Sequence, residues 1–127
     1  MIRTIEYTDG VVRMIDQTRL PLEKTFVDCR TIDDINRAIK TMIIRGAPAI
    51  GVAAAMGISL GADTIDAKNF ESFYPQLEKM AAELALSRPT AVNLAWGIER
   101  MKRVARENRQ LSVADLKKKL RQEAVLI

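Results

Sequence analysis

Between Ala47 and Ala62 every residue is apolar except Ser59. A run of this kind has no polar face to turn toward water, so it predicts a helix buried on all sides at the centre of a domain. It falls short of the ~20 residues that a membrane-spanning helix needs. Pro48 stands in the first turn, where the missing N–H of proline does no harm. Gly51, Gly57 and Gly61 each cost roughly 1 kcal/mol of helix propensity relative to alanine. That cost makes sense where neighbouring backbones approach closely. A helix with no polar face needs other elements to cover it, and 127 residues suffice for one domain with a substantial core.

The flanking segments supply that cover. Ile2 to Tyr7 and Val11 to Ile15 are rich in β-branched residues, and the Asp9-Gly10 dipeptide between them is a strong hairpin-turn signal. Pro21 closes this unit, and Lys24 to Cys29 reads as a third short strand. A sheet this small needs a helix on one face to be stable. Thr31 is the expected cap of the first helix, with Asp34 reaching back to complete a capping box. Ile32, Ile35, Ile39, Met42 and Ile43 form its apolar stripe, and the helix is expected to run to Arg45-Gly46. Beyond the central helix, Pro75 is tolerable only in a first turn, which favours Ser72 over Asn69 as the next cap. That helix should reach Leu86 and bury Phe73, Leu77, Met80, Ala81 and Leu84. Thr90 then caps a helix with the stripe Leu94, Ile98, Met101 and Ala105. Ser112 opens the last one, which presents Val113, Leu116 and Leu120. The predicted class is therefore α+β: a small three-stranded antiparallel sheet in residues 1–30, then a bundle of about five helices in 31–127. The last helix reaches Glu123-Ala124-Val125-Leu126-Ile127 without a glycine or a basic cap. This predicts a helix that continues into a further domain, the chain being a piece of a longer protein.

Composition narrows the chemistry. The net charge of +4 suits small anions but is too weak to indicate nucleic acid. The basic runs, Lys117-Lys118-Lys119 and Arg100 to Arg109, lie on helical patterns without interleaved aromatics and read as solvated faces. Histidine is absent, which removes the commonest acid-base side chain near neutral pH and argues against a metal site. No cofactor fingerprint is present. Cys29, the one cysteine, cannot form an intrachain disulfide and fits a reducing, cytoplasmic compartment. On a strand and with no histidine to activate it, Cys29 reads as a small buried residue. Asp33 and Asp34 read as capping acids, and Tyr74 and Trp96 as core or interface residues. Gly57-x-x-x-Gly61 is a packing signal.

Two features share one physical logic. In Arg45-Gly46-Ala47-Pro48 an arginine stands just ahead of a helix start, and Ser87-Arg88-Pro89-Thr90 repeats the arrangement before a second helix. Helix starts offer unpaired N–H groups and partial positive charge, so they attract anions. A guanidinium adds a fork of donors suited to phosphate oxygens. Gly46 lets the backbone come close to such a ligand. If both starts face one cleft, Arg45 and Arg88 can grip one phosphate. The competing reading is a pair of ordinary helix-entry loops whose arginines pair with acidic neighbours.

The block Ile44-Arg45-Gly46-Ala47-Pro48-Ala49-Ile50-Gly51-Val52-Ala53-Ala54-Ala55 resembles the signature of the methylthioribose-1-phosphate isomerases. Ser87 to Leu94 resembles a second block of that family, and the likeness extends over nearly the whole chain. The resemblance implies a small N-terminal domain ahead of a larger Rossmann-like catalytic domain. It implies an aldose–ketose isomerase converting 5-methylthioribose 1-phosphate to 5-methylthioribulose 1-phosphate in methionine salvage, homodimeric when full length. It assigns substrate-phosphate contacts to Arg45, Gly46, Ala47 and Arg88. The catalytic cysteine and aspartate of the family belong to the second domain, so this chain is expected to hold no catalytic residue and to be inactive alone. Cys29 does not match the motif of the catalytic cysteine. Three alternatives remain within reach of the sequence: a ribose-1,5-bisphosphate isomerase-like domain, a regulatory module related to translation initiation factor 2B subunits, and a stand-alone binding domain for small anions.

Overall fold

The computed structural model describes residues 5–19, 22, 25–44, 47–88 and 91–126. Strands β1 (Ile5–Thr8), β2 (Val11–Ile15) and β3 (Phe26–Cys29) form an antiparallel sheet in the order β1-β2-β3. Asp9 and Gly10 join the first two with φ of 52° and 75°. Two successive left-handed residues match the right-handed twist of a hairpin, which is why Asp-Gly is favoured there. The register pairs Ile5 with Met14 and Thr8 with Val11, and on the other side Val12 with Cys29. Val12, Met14 and Cys29 face the helices and are buried. On the opposite face Arg13 donates to the Asp28 carboxylate at 2.7 Å. A short 3-10 turn over Gln17–Arg19, which the sequence does not announce, follows β2. Pro21, Lys24 and the start of the first predicted strand lie outside the described residues.

Helix α1 (Ile32–Lys40) begins with the full capping box. The Thr31 hydroxyl accepts from the Asp34 N–H at 3.1 Å, and the Asp34 carboxylate accepts from the backbone N–H groups of Arg30 and Thr31. These donors, Arg30 first, hold the Asp34 carboxyl below the usual carboxylate range. The helix ends earlier than expected, with Thr41 as its C-cap. Met42 turns left-handed (φ 64°), its N–H bonds the Ile39 carbonyl, and the Ile44 N–H reaches back to Ala38. Met42 thereby leaves the apolar stripe and is 42% exposed, while Ile44 becomes fully buried.

Helix α2 (Ala47–Asp63) is the predicted central helix: it packs against β1 and against all four other helices. From Ile50 to Ala62 only Val52 is not buried. Its one buried hydroxyl, Ser59, is satisfied by the Tyr7 phenol at 2.8 Å. No helix among the described residues is long and apolar enough to cross a membrane.

Helix α3 (Phe70–Ala85) corrects the expected cap. Asn69, not Ser72, is the N-cap and accepts from the Ser72 N–H at 3.0 Å. Pro75 therefore lies inside the helix. It is tolerated because Pro75 and Glu71, whose carbonyl loses its usual donor, both face water. Phe73, Leu77, Ala81 and Leu84 form the buried face. Helices α4 (Val92–Glu107) and α5 (Val113–Leu126) complete the bundle, burying Leu94, Ile98, Met101 and Ala105, and Leu116, Leu120 and Ala124. Each fully buried aliphatic side chain is worth about 1.5–3 kcal/mol, and α2 is where their contributions converge.

Candidate functional site

The candidate site is defined by the starts of α2 and α4. Their backbones touch. A Cβ added to Gly97 would overlap the Gly51 carbonyl oxygen and stand 3.2 Å from both its carbonyl carbon and Cα. A Cβ on Gly51 would stand 3.1 Å from the Asn93 carbonyl oxygen. Gly51 is one turn into α2, and Asn93 lies in the first turn of α4. At 1.5 Å per residue, the contact is about 6 Å along the axis from the first residue of α2. The two helix starts thus flank a single crossing.

Each start carries part of the predicted phosphate cradle. Arg45 and Gly46 lie outside the described residues; Ala47 is the first residue of α2. Arg88 is described and half-buried. It is held by the end of α3: the Ser87 hydroxyl donates to the Leu84 carbonyl at 2.7 Å, and the Ser87 N–H bonds the same carbonyl. The Ala91 N–H then donates to the Arg88 carbonyl at 2.9 Å, which bends the chain into α4. Among the described residues no carboxylate pairs with the Arg88 guanidinium, in contrast to Arg100, Arg106 and Arg121. The reading of Arg88 as an ordinary loop arginine tied to an acid therefore finds no partner among them.

Helix α4 opens differently from the expectation that Thr90 caps it. Its N-cap is Ala91, whose side chain has no oxygen to offer, and no side-chain cap bond forms. Thr90 lies outside the described residues. Among the described residues no side chain caps the first-turn N–H groups, which are the kind of donors that suit an anion. Asn93 and Gly97 are the residues that sequence reasoning missed. The signal was there: an in-helix glycine has no propensity reason to exist, and Gly97 follows the second motif block by one turn.

The other candidates resolve against chemistry. Cys29 is buried, and burial pushes its thiol up to about 11, which keeps it protonated near neutral pH. Trp96 is half exposed with the Arg100 guanidinium 5.5 Å above its ring, so it is not a core residue. Tyr74 is half-buried, stacks on Phe70 and accepts a hydrogen bond from Arg106. The basic run of α4 is largely paired: Arg100 with Glu123, Lys102 with Glu78 and Arg106 with Glu99. No cluster of three or more metal-ligating side chains forms among the described residues.

A family model described as the initiation factor 2 subunit family matches residues 43–127, a span that begins just before Arg45 and takes in the starts of α2 and α4. The chain belongs to the initiation factor 2 subunit family. It is 50% identical over 125 residues to the methylthioribose-1-phosphate isomerase of Citrifermentans bemidjiense. It is 54% identical over 125 residues to the enzyme of that name from Geobacter sulfurreducens. Each alignment covers 98% of this chain and 36% of the relative. The fold matches the crystal structure of 5-methylthioribose 1-phosphate isomerase from Pyrococcus horikoshii with a TM-score of 0.91 and 40% identity, over 98% of this chain and 35% of that one. It also matches the delta subunit of translation initiation factor eIF-2B from A. fulgidus, at TM-score 0.88 and 38% identity over 98% of this chain and 36% of that one. The chain spans about a third of the length of these relatives.

Proposed function

We propose that this chain is the N-terminal domain of a methylthioribose-1-phosphate isomerase and that it holds the substrate phosphate in one wall of the active-site cleft. The observation that carries the reading is the crossing of α2 and α4, which brings their two helix starts, that of α4 without a side-chain cap bond, close to Arg88, which has no carboxylate partner among the described residues. Arg45, Gly46 and Ala47 contribute the α2 side, and Arg88 the α4 side. The phosphate is bound by charge and by N–H donors; the proton shuttle from aldose to ketose belongs to groups on a following Rossmann-like domain. No cofactor or metal is required for holding a phosphate in this way. The setting is cytoplasmic, the whole enzyme is a homodimer, and neither nucleic acid nor membrane is a partner.

Arg88→Ala and Arg45→Ala, each placed in an enzyme that joins this domain to the segment its relatives carry after it, test the reading. Each should raise the Michaelis constant for the sugar phosphate, since a charged hydrogen bond is worth about 1.5–3 kcal/mol. Unchanged Michaelis constants in both variants would refute the phosphate role. The eIF-2B likeness supports a second reading, a regulatory module that recognises a protein partner. The 50–54% identity to curated isomerases supports the first, while the two solved structures differ little, at 40% and 38% identity. Absence of isomerase activity in the joined protein would reverse that order.

A further inference from the structure

We propose that the Gly51–Gly97 contact is a positioning element that sets the separation of the two phosphate-binding helix starts; this rests on the phosphate reading above. The glycines of α2 are not equivalent. A Cβ on Gly57 would meet only the Ile35 side chain, at 2.9 Å, and one on Gly61 would meet the Met80 sulfur at 2.9 Å and the Ile32 Cδ1 at 3.2 Å. Those neighbours are side chains: the Met80 sulfur is the end of a flexible chain that can swing aside, and the buried, β-branched Ile35 can yield only with local repacking against α1, away from the α2–α4 crossing. At Gly97 the obstacle is the Gly51 backbone itself, and at Gly51 it is the Asn93 carbonyl. A backbone cannot yield without moving its helix. An added methyl group at this crossing must therefore push the start of α4, with Arg88 just before it, away from the start of α2.

An anion held from two sides is sensitive to that distance. Donors on one helix cannot follow an anion bound to the other, and a displacement near 1 Å is enough to lose much of a convergent contact. Gly97 and Gly51 touch no ligand in this scheme; they act through the helix starts. The functional signature is thus a loss of anion affinity out of proportion to any loss of stability.

The test is titration of the 127-residue chain with inorganic phosphate, followed by amide and arginine side-chain chemical shifts, with thermal unfolding of each variant alongside. The parent chain should show saturable shifts at the start of α4 that Arg88→Ala abolishes. Gly97→Ala should stay folded yet bind about tenfold more weakly or worse. Gly51→Ala, whose methyl group meets its obstacle at 3.1 Å, should show a smaller loss in the same direction. Gly57→Ala, beyond the crossing, should bind like the parent whatever its melting temperature. If Gly97→Ala does not fold, Gly51→Ala against Gly57→Ala decides the matter. Parental affinity in both Gly97→Ala and Gly51→Ala, with Arg88→Ala still defective, would overturn the positioning role and leave the phosphate reading standing. A parent chain that shows no phosphate response would overturn both.

Discussion

The two halves of α2 are built for different purposes, although one apolar sequence runs through both. In the half nearer Ala47, small residues meet the backbone of α4: Gly51 lies against Asn93 and Gly97. In the half nearer Asp63, larger residues and glycines meet side chains from α1 and α3, among them Ile32, Ile35 and Met80. A backbone-to-backbone contact fixes position tightly and buries little. A side-chain contact buries much and accommodates change. The same helix therefore supplies geometry at one end and cohesion at the other, and the phosphate reading falls on the end that supplies geometry.

The largest effect should come from the cohesive half. Ile58 is fully buried. Ile58→Ala removes a branched side chain from a packed interior and should lower unfolding free energy by about 2–5 kcal/mol, measured by urea denaturation. Phosphate affinity in the remaining folded protein should not change. If the variant lost affinity as well, the division between the two halves would be false. Gly97→Ala comes next, destabilising by about 1–3 kcal/mol through overpacking. There the ranking inverts: the smaller stability loss accompanies the larger binding loss.

That division was only half legible in the sequence. The buried character of α2 follows from the absence of polar residues, and the stripes of α3, α4 and α5 follow from spacing, because burial on one face is what a helical period encodes. Arg45 and Arg88 stand out in the sequence by lying just ahead of Pro48 and Pro89, and the phosphate role rests on that placement as a proposal. What spacing cannot give is which helix lies against which. Gly51 and Gly57 look alike in the chain, and only the fold separates a glycine facing backbone from one facing isoleucine. Helix ends are decided by local competition that spacing does not encode. Asn69 outranked Ser72 because a proline whose orphaned carbonyl faces solvent is less costly than the first-turn rule assumed. Helix α1 closed at Lys40, not at the glycine, because Met42 took the left-handed position.

A finer test of the contrast is Gly61→Ala. Alanine gains roughly 1 kcal/mol of helix propensity, and its methyl group would press on the Met80 sulfur and Ile32. Met80 is half-buried and unbranched, so it can swing aside. The net change in stability should be under about 1 kcal/mol, because the gain and the repacking oppose each other. A loss as large as that of Gly97→Ala would mean that the cohesive half is as unyielding as the crossing.

The smallest expected effect concerns the one strained residue on the approach to the site. Met42 is not glycine, yet it holds φ at 64°, a conformation that costs an L-residue roughly 1–2 kcal/mol. Its side chain is 42% exposed, so little burial offsets that cost. Met42→Gly should relieve the strain but add freedom to the unfolded chain, leaving a net stabilisation of about 0.5–1 kcal/mol, visible as a small rise in melting temperature. The sign is informative in either direction. A gain means that Met42 is held left-handed by the need to turn the chain from α1 toward Arg45, with Ile44 buried as the anchor. A loss means that the methionine side chain itself contributes packing, and the turn is then held by contact as well as by backbone geometry.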